Sequence, residues 1–169
     1  MVKSIFILIL LTFQPKIPTY DFAKDLITKY DPPKKDYVVL IDYSKPIFQQ
    51  RLYVFDMKNE KIIISSSVSH AFNSGKVYAT DFSDVINSKK TSLGAYITLN
   101  SYYGKWGYSM KLRGIDSGLN TNAEKRTIVF HPNVTNNINY SDGCFMTDKD
   151  INKKIIDLVK DGYLVYVYL

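Results

Sequence analysis

The chain has 169 residues, of which 46% are hydrophobic and 14% aromatic, so it has the length and apolar content of one domain with a packed core and is not intrinsically disordered. Eight Gly, six Pro and one Cys exclude collagen-like, low-complexity and disulfide-stapled chains. The formal net charge of +6 comes from scattered lysines and only three arginines, which do not form the clustered basic face of a nucleic-acid-binding protein, so we predict no nucleic-acid partner.

The N-terminal segment, residues 1–14, carries Lys3 followed by an apolar run from Ile5 to Phe13. This pattern is typical of a secretory signal peptide or an N-terminal membrane anchor and is too short to cross a bilayer. The small-residue cleavage pattern is missing, so a hydrophobic N-terminal strand is the alternative. We expect an exported protein of the periplasm or cell envelope, in which the lone cysteine forms no internal disulfide.

The first half of the remaining chain predicts one helix and then strands. Thr19 to Tyr30 has helical apolar spacing, with Thr19 or Asp21 as N-cap and Pro32-Pro33 as the stop. The β-forming runs are 37–43, 51–55 and 61–68, with a hairpin turn at 56–60. Residues 69–91 are polar and predict a long loop.

The second half predicts further short strands at 96–99, 109–112 and 127–130, then a helix and a closing strand at 163–169. Thr147 and Asp150 form a capping-box pattern at the helix start, and Gly162 ends the helix. With no internal repeat or linker, we predict a mainly β (α+β) fold, sandwich- or barrel-like, in a single domain over 19–169 with two or three helices.

The lone cysteine, Cys144, lies in a turn-rich segment, where a purely structural cysteine is unusual. Gly143 allows close backbone approach to a substrate, and backbone N–H groups of such a turn can stabilise an oxyanion. His131 follows a predicted strand that Pro132 ends, and an imidazole is the commonest activator of a thiol nucleophile. The alternatives are a buried cysteine with an unrelated histidine, and, more weakly, a metal site without ligand spacing.

His131 and Ser141-Asp142-Gly143-Cys144 resemble the signature of the L,D-transpeptidase catalytic domain family, in which His precedes a Ser/Thr-x-Gly-Cys block. The closer resemblance is to the murein branch of that family and covers roughly residues 20–169. The further matches occur in the right order, at Ile41–Pro46, Arg51–Asp56, Val68–His70, Asn73–Gly75, Phe82–Ser83, Ser92–Gly94, Tyr96, Tyr103–Gly104, Gly107–Ser109, Leu112–Asp116 and Arg126–His131.

The resemblance implies a cysteine acyltransferase that needs no cofactor and no metal. Cys144 would attack a tetrapeptide stem of peptidoglycan at the bond between the L-centre of its third residue and the terminal D-Ala. His131 would act as base and then acid, with Ser141 in the signature and the Gly143 and Cys144 N–H groups at the oxyanion. An amine of a second stem would resolve the thioester into a 3→3 cross-link.

Several positions depart from the family pattern. Pro132 replaces the usual Gly after the histidine, and Asp142 brings a carboxylate beside the thiol, where its charge would oppose thiolate formation. Tyr140 and Phe145 replace the branch's usual Arg and Pro, and the stretch from His131 to Cys144 is shorter than usual. These departures leave two alternatives: an L,D-carboxypeptidase or endopeptidase on the same stems, and a catalytically silent wall-binding protein.

Substrate binding is predicted for His70, Arg113, Tyr103 and Asp142. The alternative for His70 is a structural histidine, and for Arg113 an ion pair with Asp116 in place of a clamp on a stem carboxylate. Tyr103 belongs to an aromatic group that predicts either a sugar-stacking platform or hairpin packing, namely Tyr102, Tyr103, Trp106 and Tyr108. We expect a monomer whose partners are peptidoglycan stem peptides, with membrane association limited to the N-terminal segment.

Overall fold

The structure is a computed structural model and describes residues 17–134 and 141–169. In these residues the chain forms one sheet of eight strands and two α-helices, with a 3₁₀ turn at Phe72–Ser74. The mainly β fold class is thereby confirmed, whereas the predicted signal or anchor segment 1–14 and Tyr140 lie outside the described residues. The elements in chain order are α1 (Tyr20–Tyr30), β1 (Tyr37–Asp42), β2 (Leu52–Asp56), β3 (Lys61–Ser66), β4 (Gly94–Gly104), β5 (Gly107–Gly114), β6 (Val129–Pro132), β7 (Phe145–Thr147), α2 (Lys149–Val159) and β8 (Leu164–Tyr168).

The strands follow the order β3-β2-β1-β8-β4-β5-β6-β7. The β1–β8 and β6–β7 pairs are parallel, and the other pairs are antiparallel. Beyond β3 the chain crosses to the opposite edge, where the Ser69 N–H donates to the Met146 carbonyl of β7 at 2.9 Å. The sheet is therefore nearly closed, as expected for a barrel-like fold.

The sheet is covered on both faces, so the central strand β1 buries apolar side chains on each face. Val38 and Leu40 pack with Ala23 and Leu26 of α1, whereas Val39 belongs to the core beneath α2. Helix α1 begins as predicted, since the Thr19 side chain accepts a hydrogen bond from the Phe22 N–H at 3.3 Å. It ends at Asp31 in a left-handed conformation, ahead of the two prolines.

Helix α2 begins one residue later than the capping-box pattern predicts. Asp148 is the N-cap, and its carboxylate accepts from the Asp150 N–H at 3.0 Å. Thr147 is not the cap because it is the last residue of β7, paired with Pro132 of β6. The helix ends at Val159, ahead of Gly162, and buries Ile155, Ile156 and Val159.

Two strand boundaries bear on the site. β4 and β5 extend beyond their predicted ends into a long hairpin whose two-residue tip is Lys105-Trp106. β6 begins at Val129, since Thr127 has a left-handed backbone with φ of 56°, and it runs through Pro132 instead of ending before it. Neither helix in the described residues is long and apolar enough to cross a membrane.

Candidate active site

A cavity of about 410 Å³ opens where the chain enters β7. It brings together the signature residues and residues from two other segments, the 69–91 loop and the β4–β5 hairpin tip. The lining residues are Phe72, Lys89, Lys105, Trp106, His131, Val134, Ser141, Asp142, Cys144 and Met146.

The Cys144 thiol lies at the wall of this cavity, half-buried, one residue before β7. Its Sγ donates to the Thr127 carbonyl at 3.6 Å. Burial raises the pKa of the Cys144 thiol, and the Asp142 carboxylate raises it further. A backbone hydrogen bond from Val129 and the charges of Arg126 and Lys105 oppose that rise. The result is a thiol that stays protonated at neutral pH.

The His131 ring lies near the end of β6, almost fully buried, and faces the same cavity. Its Nδ1 is 2.9 Å from the Pro132 carbonyl, which can only accept, so Nδ1 carries the proton and Nε2 keeps its lone pair. Burial lowers the pKa of the His131 imidazole, and the Lys105 charge adds to this effect. No hydrogen bond joins His131 to Cys144 in the described residues.

The turn that delivers the thiol depends on Gly143. Its φ of +130° favours glycine, and a Cβ there would lie 2.7 Å from Ile128 Cδ1 and 2.9 Å from Arg126 Nη2. The Gly143 N–H donates to the Ser141 hydroxyl at 3.3 Å, while the Ser141 carbonyl accepts from the Phe72 N–H at 2.9 Å. The turn is therefore held tightly against the segments that line the cavity.

Asp142 lies at the rim of the cavity with an exposed side chain. Its carboxylate is 3.7 Å from the Lys89 ammonium, which partly compensates its charge. Because both groups are solvated, this ion pair is weak.

The family model for the L,D-transpeptidase catalytic domain matches residues 13–168. The chain belongs to this family. The match spans nearly the whole chain, including all of the cavity-lining residues. No match is found among curated protein sequences.

The solved structures similar to this family member include three bacterial proteins. The Campylobacter jejuni helical cell shape determining protein Pgp2 superposes with a TM-score of 0.55 at 14% identity, over 88% of this chain and 53% of Pgp2. The Stackebrandtia nassauensis L,D-transpeptidase superposes with a TM-score of 0.51 at 18% identity, over 87% of this chain and 64% of its own. Mycobacterium tuberculosis L,D-transpeptidase 3, in complex with a faropenem-derived adduct, superposes with a TM-score of 0.52 at 12% identity, over 82% of this chain and 61% of its own. At these identities the likeness shows the fold alone, and the chain spans about half to two thirds of each.

His70 lies outside the cavity of this L,D-transpeptidase domain. It is fully buried, with Nδ1 3.0 Å from an Arg51 guanidinium nitrogen and Nε2 2.9 Å from the Gly75 carbonyl. Arginine can only donate, so Nδ1 accepts and Nε2 carries the proton. His70 thus connects Arg51, the residue before β2, to Gly75 of its own loop.

Arg113 and Tyr103 also lie outside the cavity. Arg113 is exposed and pairs with Glu124 at 3.1 Å, not with Asp116. Tyr103 is 80% exposed and stacks on Tyr108 with ring centroids 5.0 Å apart. Of the four predicted substrate-binding residues, the structure brings only Asp142 to the cavity.

The hairpin tip supplies two cavity residues of the L,D-transpeptidase domain that the signature does not include. Trp106 stacks on the His131 ring at 5.5 Å with an interplanar angle of 19°, and the Lys105 ammonium lies 4.6 Å from the centre of the Trp106 ring. In the sequence, the flanking glycines Gly104 and Gly107 indicate that these two residues form a hairpin tip. They do not indicate that the tip packs against β6. In the two described ranges no group of three or more His, Cys, Asp or Glu is placed to hold a metal ion.

Proposed function

We propose that the chain is a peptidoglycan L,D-transpeptidase in which Cys144 is the nucleophile and His131 the general base. The observation that carries this proposal is that the thiol and an imidazole with a fixed tautomer line one cavity. The Pro132 carbonyl holds the proton on Nδ1 and leaves Nε2 able to take the thiol proton. Membership of the family supports the reaction class.

In the first half-reaction, Nε2 of His131 accepts the thiol proton while Sγ of Cys144 attacks the carbonyl of the bond to the terminal D-Ala. The tetrahedral oxyanion collapses, the C–N bond breaks, and the imidazolium returns its proton to the departing D-Ala amine. A thioester to Cys144 remains. Because the Gly143 N–H already donates to Ser141, we assign the Cys144 N–H to the oxyanion.

In the second half-reaction, an amine of another stem attacks the thioester carbonyl. His131 takes the proton from this amine and gives it to Sγ as the C–S bond breaks, so the thiol is restored and a 3→3 amide forms. Water in place of the amine would release a tripeptide stem, which is carboxypeptidase activity. The substrates place the reaction in the cell envelope, and the chemistry requires neither metal nor cofactor.

The protonation states support this assignment of base and nucleophile. Burial raises the pKa of Cys144 and lowers that of His131, so both groups are neutral before reaction. A neutral thiol is a poor nucleophile and requires a base at the moment of attack, and a neutral imidazole can be that base.

The deciding experiment incubates the purified protein with disaccharide-tetrapeptide and follows the products by mass spectrometry. We expect cross-linked dimers together with released D-Ala. Cys144→Ala should abolish both, and His131→Ala should lower the rate by about 10²–10⁴-fold. Phe48→Ala, which removes an exposed aromatic side chain that does not line the cavity, is the matched control and should react like the parent.

Each other outcome has a definite meaning. Tripeptide monomers without dimers would identify an L,D-carboxypeptidase. The chain has one cysteine, so a carbapenem adduct that appears on the parent but not on Cys144→Ala locates the nucleophile by mass alone. An adduct on Cys144→Ala would refute the assignment, and no adduct and no product on the parent would indicate a silent member of the family.

A further inference from the structure

Trp106 of the hairpin tip stacks on the imidazole of the proposed base, His131. The indole lies nearly parallel to the imidazole, at 19° with centroids 5.5 Å apart, and the two rings line the same cavity. Trp106 is 38% exposed, so it covers His131 without being part of the buried core. A stacked ring of this size restricts rotation of the imidazole about its χ2 torsion.

The β4–β5 hairpin approaches Pro132 as well as the His131 ring. Gly107 has φ of +90°, and a Cβ at that position would lie 3.3 Å from Pro132 Cγ. Pro132 is the residue whose carbonyl fixes Nδ1 of His131. The hairpin therefore approaches both residues that set the imidazole orientation: Trp106 stacks on the His131 ring, and Gly107 lies close to the side chain of Pro132.

We propose that Trp106 is a positioning residue for His131, holding the imidazole plane so that Nε2 is presented to the cavity and to Sγ of Cys144. This inference rests on the proposed function for its kinetic consequence, but the contact itself can be tested without any activity. The other charged or titratable groups at the cavity are Lys89 on the loop, Lys105 on the hairpin tip, and Asp142 and Cys144 on the turn.

Intrinsic fluorescence tests the contact, because Trp106 is the only tryptophan in the chain. A protonated imidazole in contact with indole quenches its emission. We expect the emission of the intact protein to fall in one step as pH drops through the titration of His131, and the step to vanish in His131→Gln. Emission that stays constant over a pH range in which proton NMR shows His131 titrating, or a step that persists in His131→Gln, would overturn the proposal.

Proton NMR titration of the two histidines gives a second readout that needs no substrate. In Trp106→Leu the His131 ring gains water, so the pKa of His131 should rise towards its ordinary value, while His70, fully buried elsewhere, should titrate as in the parent. Trp106→Phe should restore most of the difference. An unchanged His131 titration in Trp106→Leu would mean that the indole does not shield the ring.

The kinetic consequence is a loss of kcat rather than of substrate affinity. We expect Trp106→Leu to lower kcat by about tenfold with KM within about twofold, and Trp106→Phe to recover most of it. Parent-like kcat in Trp106→Leu would refute the positioning role. If the parent has no transpeptidase activity but the fluorescence step and the His131 shift are present, the proposed function fails and the Trp106–His131 contact stands.

Discussion

At the scale of single residues, the site combines a thiol with a raised pKa and an imidazole with a lowered one. This differs from a preformed thiolate–imidazolium pair, in which the nucleophile is already charged before substrate binds. In the proposed mechanism, proton transfer from Cys144 accompanies attack, so the rate would depend on how well the His131 ring is oriented in each turnover.

The charge beside the thiol can be tested at one position. Asp142→Asn removes a carboxylate that raises the pKa of Cys144, so iodoacetamide should alkylate the thiol faster at pH 8. The gain should be about two- to fivefold, since exposed charges interact by no more than about 1 kcal/mol. Asp25→Asn, an exposed substitution on α1, is the control. An unchanged alkylation rate in Asp142→Asn would show that the carboxylate does not act on the sulfur.

Gly143 and Gly118 form a matched pair that separates backbone strain from steric contact. Both have positive φ, but a Cβ on Gly118 meets nothing within 4 Å. We expect Gly118→Ala to lower the free energy of unfolding in urea by about 1–2 kcal/mol, from the left-handed conformation alone. Gly143→Ala should cost about 3 kcal/mol or more, because overpacking against Ile128 and Arg126 adds to the strain. Equal losses of unfolding free energy in the two variants would mean that the turn at Gly143 can shift to accommodate a Cβ.

At the scale of elements, the strand that follows the thiol is held from both sides. β7 pairs with β6 on one side, and on the other Ser69 accepts a hydrogen bond from the Met146 N–H at 2.9 Å through its hydroxyl. The same hydroxyl lies 3.3 Å from the Cys144 carbonyl, to which it donates. Ser69 thus connects the two ends of the sheet at Cys144, the proposed nucleophile.

Removing this hydroxyl should destabilise the fold and the site together. Ser69→Ala leaves the buried Met146 N–H without its acceptor, which costs about 1–3 kcal/mol in urea unfolding. Ser66→Ala is the control, because it loses only a bond to the neighbouring Ser67 carbonyl and should cost less than about 1 kcal/mol. If the two variants unfold at the same urea concentration, the Ser69 contact contributes nothing specific.

The elements that the sequence predicts well are those with a strong local pattern. α1, β1, β2, β3 and β8 follow from helical spacing or β-forming runs with turn residues between them. β7 was not predicted, since its three residues form a strand only through pairing with β6 and contact with Ser69. For the same reason, Thr147 matches the capping-box pattern in sequence but is the last residue of β7 and not the N-cap of α2.

At the scale of the whole molecule, buried neutral histidines couple folding to pH. His70 cannot be protonated while it accepts from Arg51, and burial lowers the pKa of both His70 and His131 in the folded state. The unfolded chain therefore binds protons first as pH falls.

We predict that the unfolding free energy is greatest above about pH 6.5 and falls below it, with a slope of at most about 1.4 kcal/mol per pH unit for each histidine. Urea unfolding between pH 7.5 and 5 measures this slope. The lowered carboxyl pKa values of Asp31, Asp56 and Asp157 act below that range. His70→Gln should reduce the slope, and a slope as steep as the parent's would show that His70 is not responsible.

The sequence predicts which residues beside the thiol line the cavity better than it predicts the residues that reach the cavity from other segments. Cys144, His131 and Asp142 lie within a short segment and face one cavity, as the signature suggests. Lys89 and Trp106 arrive from a loop and a hairpin tip through long-range packing that no local pattern encodes. His70 and Arg113 belong to matching motifs but lie elsewhere, because a motif fixes residue types and not the direction of a side chain.

The burial of Cys144 at the cavity wall has a consequence for the chemical selectivity of the thiol. In the unfolded chain Cys144 has an ordinary acidity, whereas burial on folding makes the thiol less acidic. Folding therefore protects the sulfur from indiscriminate alkylation and oxidation, which require thiolate. In the proposed mechanism, His131 supplies the base that the protonated thiol needs, so reaction would be confined to an acyl group bound beside both residues.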